Sequence, residues 1–267
     1  MDKSQMGDDI GRIPNTIILP AWEDYPPGLK MKAKLLWRKF TDTVVGMSTL
    51  IYAAKWDVPK DKRTGKSKRH PLSLNKRVEL GLAYHSLLNT GLANGSLRGL
   101  KIMCASGLYD HCKKLIDEAK EQGYARKEWV LVSYEGIQYP QWLVGIWPLS
   151  VFLPNAHARV VSDRVVAVPF GKQSYLRECI VRIKSVQLVR IQTDRDPIIH
   201  QDRRTEHIVL QKINLDGEEG EWKVWGTIDP SKEELHDILD GKHQDSSPNS
   251  FVQEFKSRVS SLSGMNF

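Results

Sequence analysis

Little in this chain can form a covalent staple. Its 267 residues hold three cysteines, Cys104, Cys112 and Cys179, an odd number with no CxxC pair. A disulfide framework is therefore excluded as the main source of stability, and a reducing compartment fits. Long apolar runs are missing as well. Spanning a bilayer takes about 20 apolar residues; the nearest approach, 44–54, is too short and contains Ser48 and Thr49. Catalytic signatures are also missing. There is no HExxH, no GxSxG and no GxGxxG after a strand. Gly65-Lys66-Ser67 is not a P-loop, because no glycine stands five residues before Gly65. His111 has no partner at metal-ligand spacing, and Cys104 and Cys112 read as core residues. His157, Asp163, Glu178 and Glu206 could meet on the concave face of a sheet, but spacing alone assembles nothing. No catalytic residue, cofactor, metal ligand or small-molecule substrate is assigned.

What is present is positive charge, unevenly placed. Lys and Arg number 39 against 32 Asp and Glu, a formal charge of +7, with a pI near 9.2 and a mean hydropathy of −0.41. Residues 28–77 contain 14 Lys or Arg and 3 Asp or Glu, a net of +11, so the remainder of the chain is acidic by 4. One arm carries the basic character, which suits a polyanionic partner, nucleic acid or acidic lipid. Apolar residues make up 40% and charged residues 27%, the balance of a soluble globular chain. The first nine residues are acidic and unlike a secretory signal or transit peptide. That is expected of a cytosolic chain, or of one whose presequence is not part of this numbering.

The longest regular stretch is 175–192, without Gly or Pro and dense in Val, Ile and Leu. β-Branched residues fit a pleated, half-buried surface, so this is expected to be the long, curved central strand of an antiparallel sheet. Val181 and Ile183 alternate with Arg182 and Lys184, one buried and one wet face. The apolar phase then slips through Val186 and Leu188 to Val189 and Ile191, which implies either a bulge or burial on both faces for part of the strand's length.

Around this strand the other elements fall in order. Residues 1–29, with four prolines, form an extended leader, either disordered or packed along a surface through Ile17, Ile18, Leu19 and Trp22. Residues 30–56 are a helix with Lys30, Lys32, Lys34, Arg38 and Lys39 crowding its start and apolar residues following. It is either an interfacial or RNA-facing helix or an ordinary amphipathic helix docked on the core. The loop 58–71 is basic, and Lys60, Lys62, Arg63, Lys66, Lys68 and Arg69 are its candidate phosphate contacts. A helix follows from 74 and is broken by Gly91, Asn94 and Gly95; 96–104 and then 109–122 supply a second helical stretch. Strands are expected at 128–134, 157–169 (with a kink near Asp163), 206–214 and 221–228; 194–204 reads as a charged turn and 215–220 as a hairpin connection. Residues 137–154, rich in Trp and Pro, are either an edge segment on the core or an exposed lip through Trp142, Trp147 and Phe152 that meets a membrane or partner. Asp229-Pro230 starts a helix, and a polar, Ser-rich tail follows.

The predicted architecture is α+β: two helices and a curved antiparallel sheet in a cone, with a basic arm (1–72), a domain (73–228) and a C-terminal helix and tail (229–267). Tyr175-Leu-Arg-Glu-Cys-Ile-Val-Arg-Ile-Lys-Ser-Val-Gln-Leu-Val-Arg-Ile resembles the long strand of the Tim-forty-four-like domain family, relatives of the nuclear-transport-factor-two-like cone. Glu221-Trp-Lys-Val-Trp-Gly-Thr-Ile resembles that family's last strand, and Leu97-Arg-Gly-Leu-Lys-Ile-Met-Cys the opening of its second helix. The likeness is nearest to the family branch of the mitochondrial large-subunit ribosomal protein forty-five and its fungal counterpart, the inner-membrane ribosome receptor. It implies a mitochondrial matrix protein, peripheral to the inner membrane. Its partners would be large-subunit rRNA and ribosomal proteins, the membrane surface and the insertase, and it would have no catalytic residues. Residues 137–154 and the tail after Pro230 depart from the family pattern. Two rival expectations are a matrix-side scaffold of the protein-import motor, which shares the domain, and a small-molecule enzyme of the same cone fold.

Overall fold

The computed structural model describes residues 10–13, 16–21, 24–25, 27–55, 72–121, 126–145, 153, 155–168, 174–192 and 198–230. The basic loop 58–71, Trp147, Phe152, the helix expected after Pro230 and the tail lie outside the described residues.

The described chain is α+β. Helix α1 spans Leu29–Lys55, α2 Arg77–Ala93, α3 Leu97–Met103, α4 Ser106–Glu121 and the short α5 Gln141–Gly145. Five strands form one antiparallel sheet: β1 (Arg126–Tyr134), β2 (Ala158–Ala167), β3 (Tyr175–Gln192), β4 (Ile198–Leu215) and β5 (Glu218–Ile228). The long strand expected from the sequence is β3, with the predicted limits, and it lies at the centre. Strands β1 and β2 lie end to end along one side of it, β2 on Tyr175–Ile183 and β1 on Ser185–Gln192. Strand β4 takes the other side in unbroken register from Tyr175↔Asn214 to Ile191↔Ile198.

Two expectations are corrected by this pairing. The charged turn predicted at 194–204 is strand from Ile198 onward, because antiparallel pairing with β3 holds its polar residues extended. The phase slip in β3 is not a bulge in that strand; the register shifts fall in its neighbours, at Val160/Ser162 in β2 and Leu131/Ser133 in β1. The other alternative holds: β3 is buried on both faces over most of 175–187, and the face read as wet is covered there, with Arg182 9% exposed.

The inner face of the sheet is apolar. Cys179, Val181 and Ile183 pack with Ile208 and Leu210 against Leu88, Leu100, Met103 and Ile116 of the helices. Gly81 lets α2 come close, since a Cβ there would stand 3.0 Å from Val181. Tyr84 Oη donates to the Trp222 carbonyl at 3.0 Å, tying α2 to β5. The Asp216-Gly217 turn has both residues at positive φ, 50° and 77°, as a two-residue hairpin of matching twist requires.

The outer face is covered by the leader, which is packed rather than loose. Ile18 joins Val161, Ile180 and Val209, while Ile13 joins Val168 and Leu176. Helix α1 crosses edge strand β2, at Gly46 so closely that a Cβ would lie 3.1 Å from the Asp163 carbonyl. Leader, α1 and sheet thus pack together across the expected boundary at residue 73. Beyond His207, β4 has no β5 partner, and β1, the end of β3 and the start of β4 continue as a three-stranded wing.

Candidate interaction surface

Helix α1 has two apolar sides. Leu35, Lys39, Asp42, Val45, Gly46, Thr49, Leu50 and Ala53 are buried, at the three- and four-residue steps of one helix face. The second side looks outward. Leu29, Leu36, Trp37 and Phe40 are 86%, 40%, 56% and 46% exposed, and Trp37 and Phe40 stack at 5.6 Å. Lys30 and Lys34 are exposed beside them, with Lys32 and Arg38 half-buried. No acidic residue occurs in α1 before Asp42, which is buried and ion-paired to Arg164. Exposed aromatic and aliphatic side chains rimmed by cations suit an anionic, partly apolar surface.

Lys39 does not belong to that surface. It is 4% exposed, and its ammonium donates to the Ile17 carbonyl at 2.5 Å and the Val161 carbonyl at 2.9 Å, with Asp42 at 3.8 Å. It ties helix, leader and strand together because the helix period turns it inward, between Leu35 and Asp42. Trp142 is exposed on α5.

The four residues that could have met on a concave face do not assemble. Glu178 projects to the outer face, where it accepts from Ile13 N at 3.2 Å and from Gln211 Nε2 at 3.0 Å. Burial pushes its carboxyl above the ordinary value, against weaker lowering by Gln211 and Ile13. Asp163 is gripped by two guanidiniums: Arg177 donates at 3.0 and 2.8 Å, and Arg77 forms a third contact. Burial pushes the Asp163 carboxyl up, but Arg177 and Arg77 together hold it below the usual range. His157 Nδ1 lies 3.2 Å from the Ile137 carbonyl. Glu206 sits under α2, its Oε2 2.8 Å from His85 Nε2 and 2.6 Å from Gln187 Nε2. Trp129 Nε1 donates to Gln187 Oε1 at 3.0 Å. Burial raises the Glu206 carboxyl, and the contacts of His85 and Gln187 more than offset it.

The buried His85–Glu206 pair could not have been found from spacing, since its members are 121 residues apart. A basic row on the outer face, Arg159, Arg182 and His207, was also missed, although the Arg182/Lys184 alternation marked its axis. A cavity of about 20 Å³ bounded by Leu50, Leu72, Val165, Tyr175 and Arg177 has room for a single water. Among the described residues no group of three or more metal-ligating side chains could hold an ion, and no helix is long and apolar enough to cross a membrane. Compared with known proteins, the chain matches no family model and no curated sequence.

Proposed function

We propose that this chain is a non-enzymatic tether that holds the exit side of a mitochondrial large ribosomal subunit against the inner membrane for co-translational insertion. The observation that carries the proposal is the outward side of α1, where Leu29, Leu36, Trp37 and Phe40 stand exposed among Lys30, Lys34 and Arg38 with no acid between them. Trp and Phe sit well at the headgroup level, and each cation near an acidic leaflet contributes about 1 kcal/mol. The likeness of β3 and β5 to the Tim-forty-four-like domain supports the ribosomal half, and the six cations of the loop 58–71 supply further candidate phosphate contacts.

The first test is sedimentation of gently solubilised mitochondria at low and high salt, with flotation of the purified chain on vesicles with and without anionic lipid. Comigration with the large subunit, together with flotation that needs anionic lipid and is lost in Trp37→Ser/Lys34→Glu, supports a tether. Absence from ribosomal fractions at both salts overturns it and favours the import-motor scaffold.

A further inference from the structure

Strand β4 outruns its neighbour. Its pairing with β5 stops at His207↔Ile228, while its pairing with β3 continues to Ile198. Among the described residues, no strand takes the other edge of 198–206. That edge is accessible: His200, Gln201, Arg203, Arg204 and Thr205 are exposed, with Asp202 and Glu206 half-buried. An edge strand carries unpaired N–H and C=O groups that template a further strand, and charge is a common way of blunting it. Here the charges do not repeat one sign. Along one face they run His200, Asp202, Arg204, Glu206, basic and acidic in turn.

Register shows what this order suits. Asp202 and Glu206 lie opposite Gln187 and Ile183 on the inner face, and Arg203 lies opposite Val186 on the outer face. A second copy of the strand can add antiparallel about a two-fold axis normal to the sheet, which sets residues of the same face opposite each other. Because side chains alternate between faces, the axis must pass through a residue. Through Asp202, it sets Asp202 against itself and His200 against Arg204. Through Arg204, it sets Arg204 against itself and Asp202 against Glu206. Through Arg203, it sets Asp202 against the copy's Arg204 and His200 against the copy's Glu206, each twice. The like pair at this axis is Arg203 with its copy, and Glu135 offsets it, 3.5 Å from the Arg203 guanidinium. Asp202 and Arg204 already meet at 2.8 Å along their own strand, with side chains 38% and 52% exposed, so turning to the copy keeps each with a partner of opposite sign. The register pairs 200–206 with 200–206 and ends where β5 begins to cover β4.

We infer that the edge 200–206 of β4 is a homodimer interface, in which two copies pair antiparallel about Arg203 and join their three-stranded wings into one continuous sheet. Seven residues per copy cover about 23 Å at about 3.3 Å per residue. The interface is small, so the dimer is a weak one that assembles as concentration rises. The inference is independent of the tether reading and uses neither α1 nor the basic loop.

The test is light scattering of the full chain over a concentration series, with disulfide trapping to read the register. Arg203→Cys puts a thiol opposite its own copy and should give a linked dimer under oxidised glutathione; the native thiols Cys104, Cys112 and Cys179 are buried. Gln201→Cys and Thr205→Cys should each stay unlinked alone and link to each other when mixed. Asp202→Arg and Arg204→Asp should each weaken self-association by about tenfold or more, while an equimolar mixture of the two should form heterodimers as readily as the parent forms homodimers. A parent that is monomeric at every concentration, with Arg203→Cys unlinked, overturns the interface. Equal linking of all three cysteine variants alone also overturns it, since that is random collision, as does a charge-variant mixture that associates no better than its components. Protection of the 200–206 edge amides from hydrogen exchange in a monomer would give the edge to another segment of the same chain, and overturns the dimer as well.

Discussion

The two faces of the sheet are covered by different kinds of chain, and they differ in chemistry for that reason. The inner face meets helices α2, α3 and α4. A helix satisfies most of its own backbone hydrogen bonds, so the centre of the inner face is apolar, with Cys179, Val181 and Ile183, and its polar groups pair side chain to side chain, Glu206 with His85 and Gln187 and Asp163 with Arg77 and Arg177. The outer face meets an extended leader, whose N–H and C=O groups must find partners elsewhere. The sheet and α1 provide them from side chains. Glu178 accepts from Ile13 N, Gln211 Nε2 donates to the Gly11 carbonyl at 2.8 Å, and Lys39 donates to the Ile17 carbonyl. A strand can thus be buried on both faces and still carry Glu and Lys partners, provided one cover is irregular. The Arg159–Arg182–His207 row does not follow from this requirement. Arg182 NH2 donates to the Ala156 carbonyl at 3.1 Å, outside the leader.

The contrast breaks most severely on the inner face. Val181 is fully buried beneath Gly81 of α2, and Val181→Asp places an unpaired carboxylate there. The expected cost is several kcal/mol against a total of about 5–15, enough to unfold the chain; a thermal melt like the parent's would show that this face is not core. Next comes Asp163→Asn, which strands two buried guanidiniums at the rim of the same face and should cost about 3–5 kcal/mol. Its pH signature has a definite sign. The folded carboxyl titrates below its ordinary value, so its stabilisation is complete above that value and is lost as pH falls through the folded one. The variant should lose that acid-limb dependence, as measured by melts across the acid range.

On the outer face the expected losses are smaller and local. Lys39→Met leaves the Ile17 and Val161 carbonyls without their ammonium and should cost about 2–3 kcal/mol. Because the brace joins the leader and α1 to a single residue of edge strand β2, Val161 at its register shift, limited proteolysis should cut the leader sooner while the strand signal persists. Simultaneous loss of sheet and leader would mean that the two faces do not separate energetically.

Much of the sheet was legible because its signals are local. The absence of Gly and Pro over 175–192 and the Asp216-Gly217 pair gave β3 and the β4–β5 hairpin directly. The outer face was not legible, because its cover is a segment with no periodic pattern. Ile13, Ile17 and Ile18 carry no helix or strand signature, so a packed leader and a strand buried on both faces stood only as alternatives, and nothing in the pattern joined the two over Arg182. Lys39 was misjudged on composition: one more lysine in a basic cluster, distinguished only by helical phase with Leu35 and Asp42. In β4, the run His200-Gln-Asp-Arg-Arg204 looks like a turn by residue type, and only the length of β3 requires it to be strand. Of the candidate surface, the exposed cations and aromatics of α1 were visible in the sequence, whereas the His85–Glu206 pair and the outer basic row exist only through tertiary pairing.

The finest test compares two buried carboxylates on opposite faces of the sheet, Asp163 and Glu178. Asp163, with two guanidiniums, is held below the ordinary range; Glu178, with neutral hydrogen-bond donors and burial as the largest influence, is held above it. The folded state therefore favours protonated Glu178. Its stabilisation is fully present below the ordinary glutamate value, declines as pH rises and is gone above the raised folded value. Glutamine keeps a carbonyl oxygen to accept from Ile13 N and removes the charge whose burial is unfavourable. Glu178→Gln should then melt at or slightly above the parent temperature near neutral pH, with the gain, at most about 1 kcal/mol, disappearing in acid. A loss of stability at neutral pH would show that the ionised carboxylate, through Arg164 opposite it in β2, holds the leader, and that the outer face is organised by charge as firmly as the Asp163 rim.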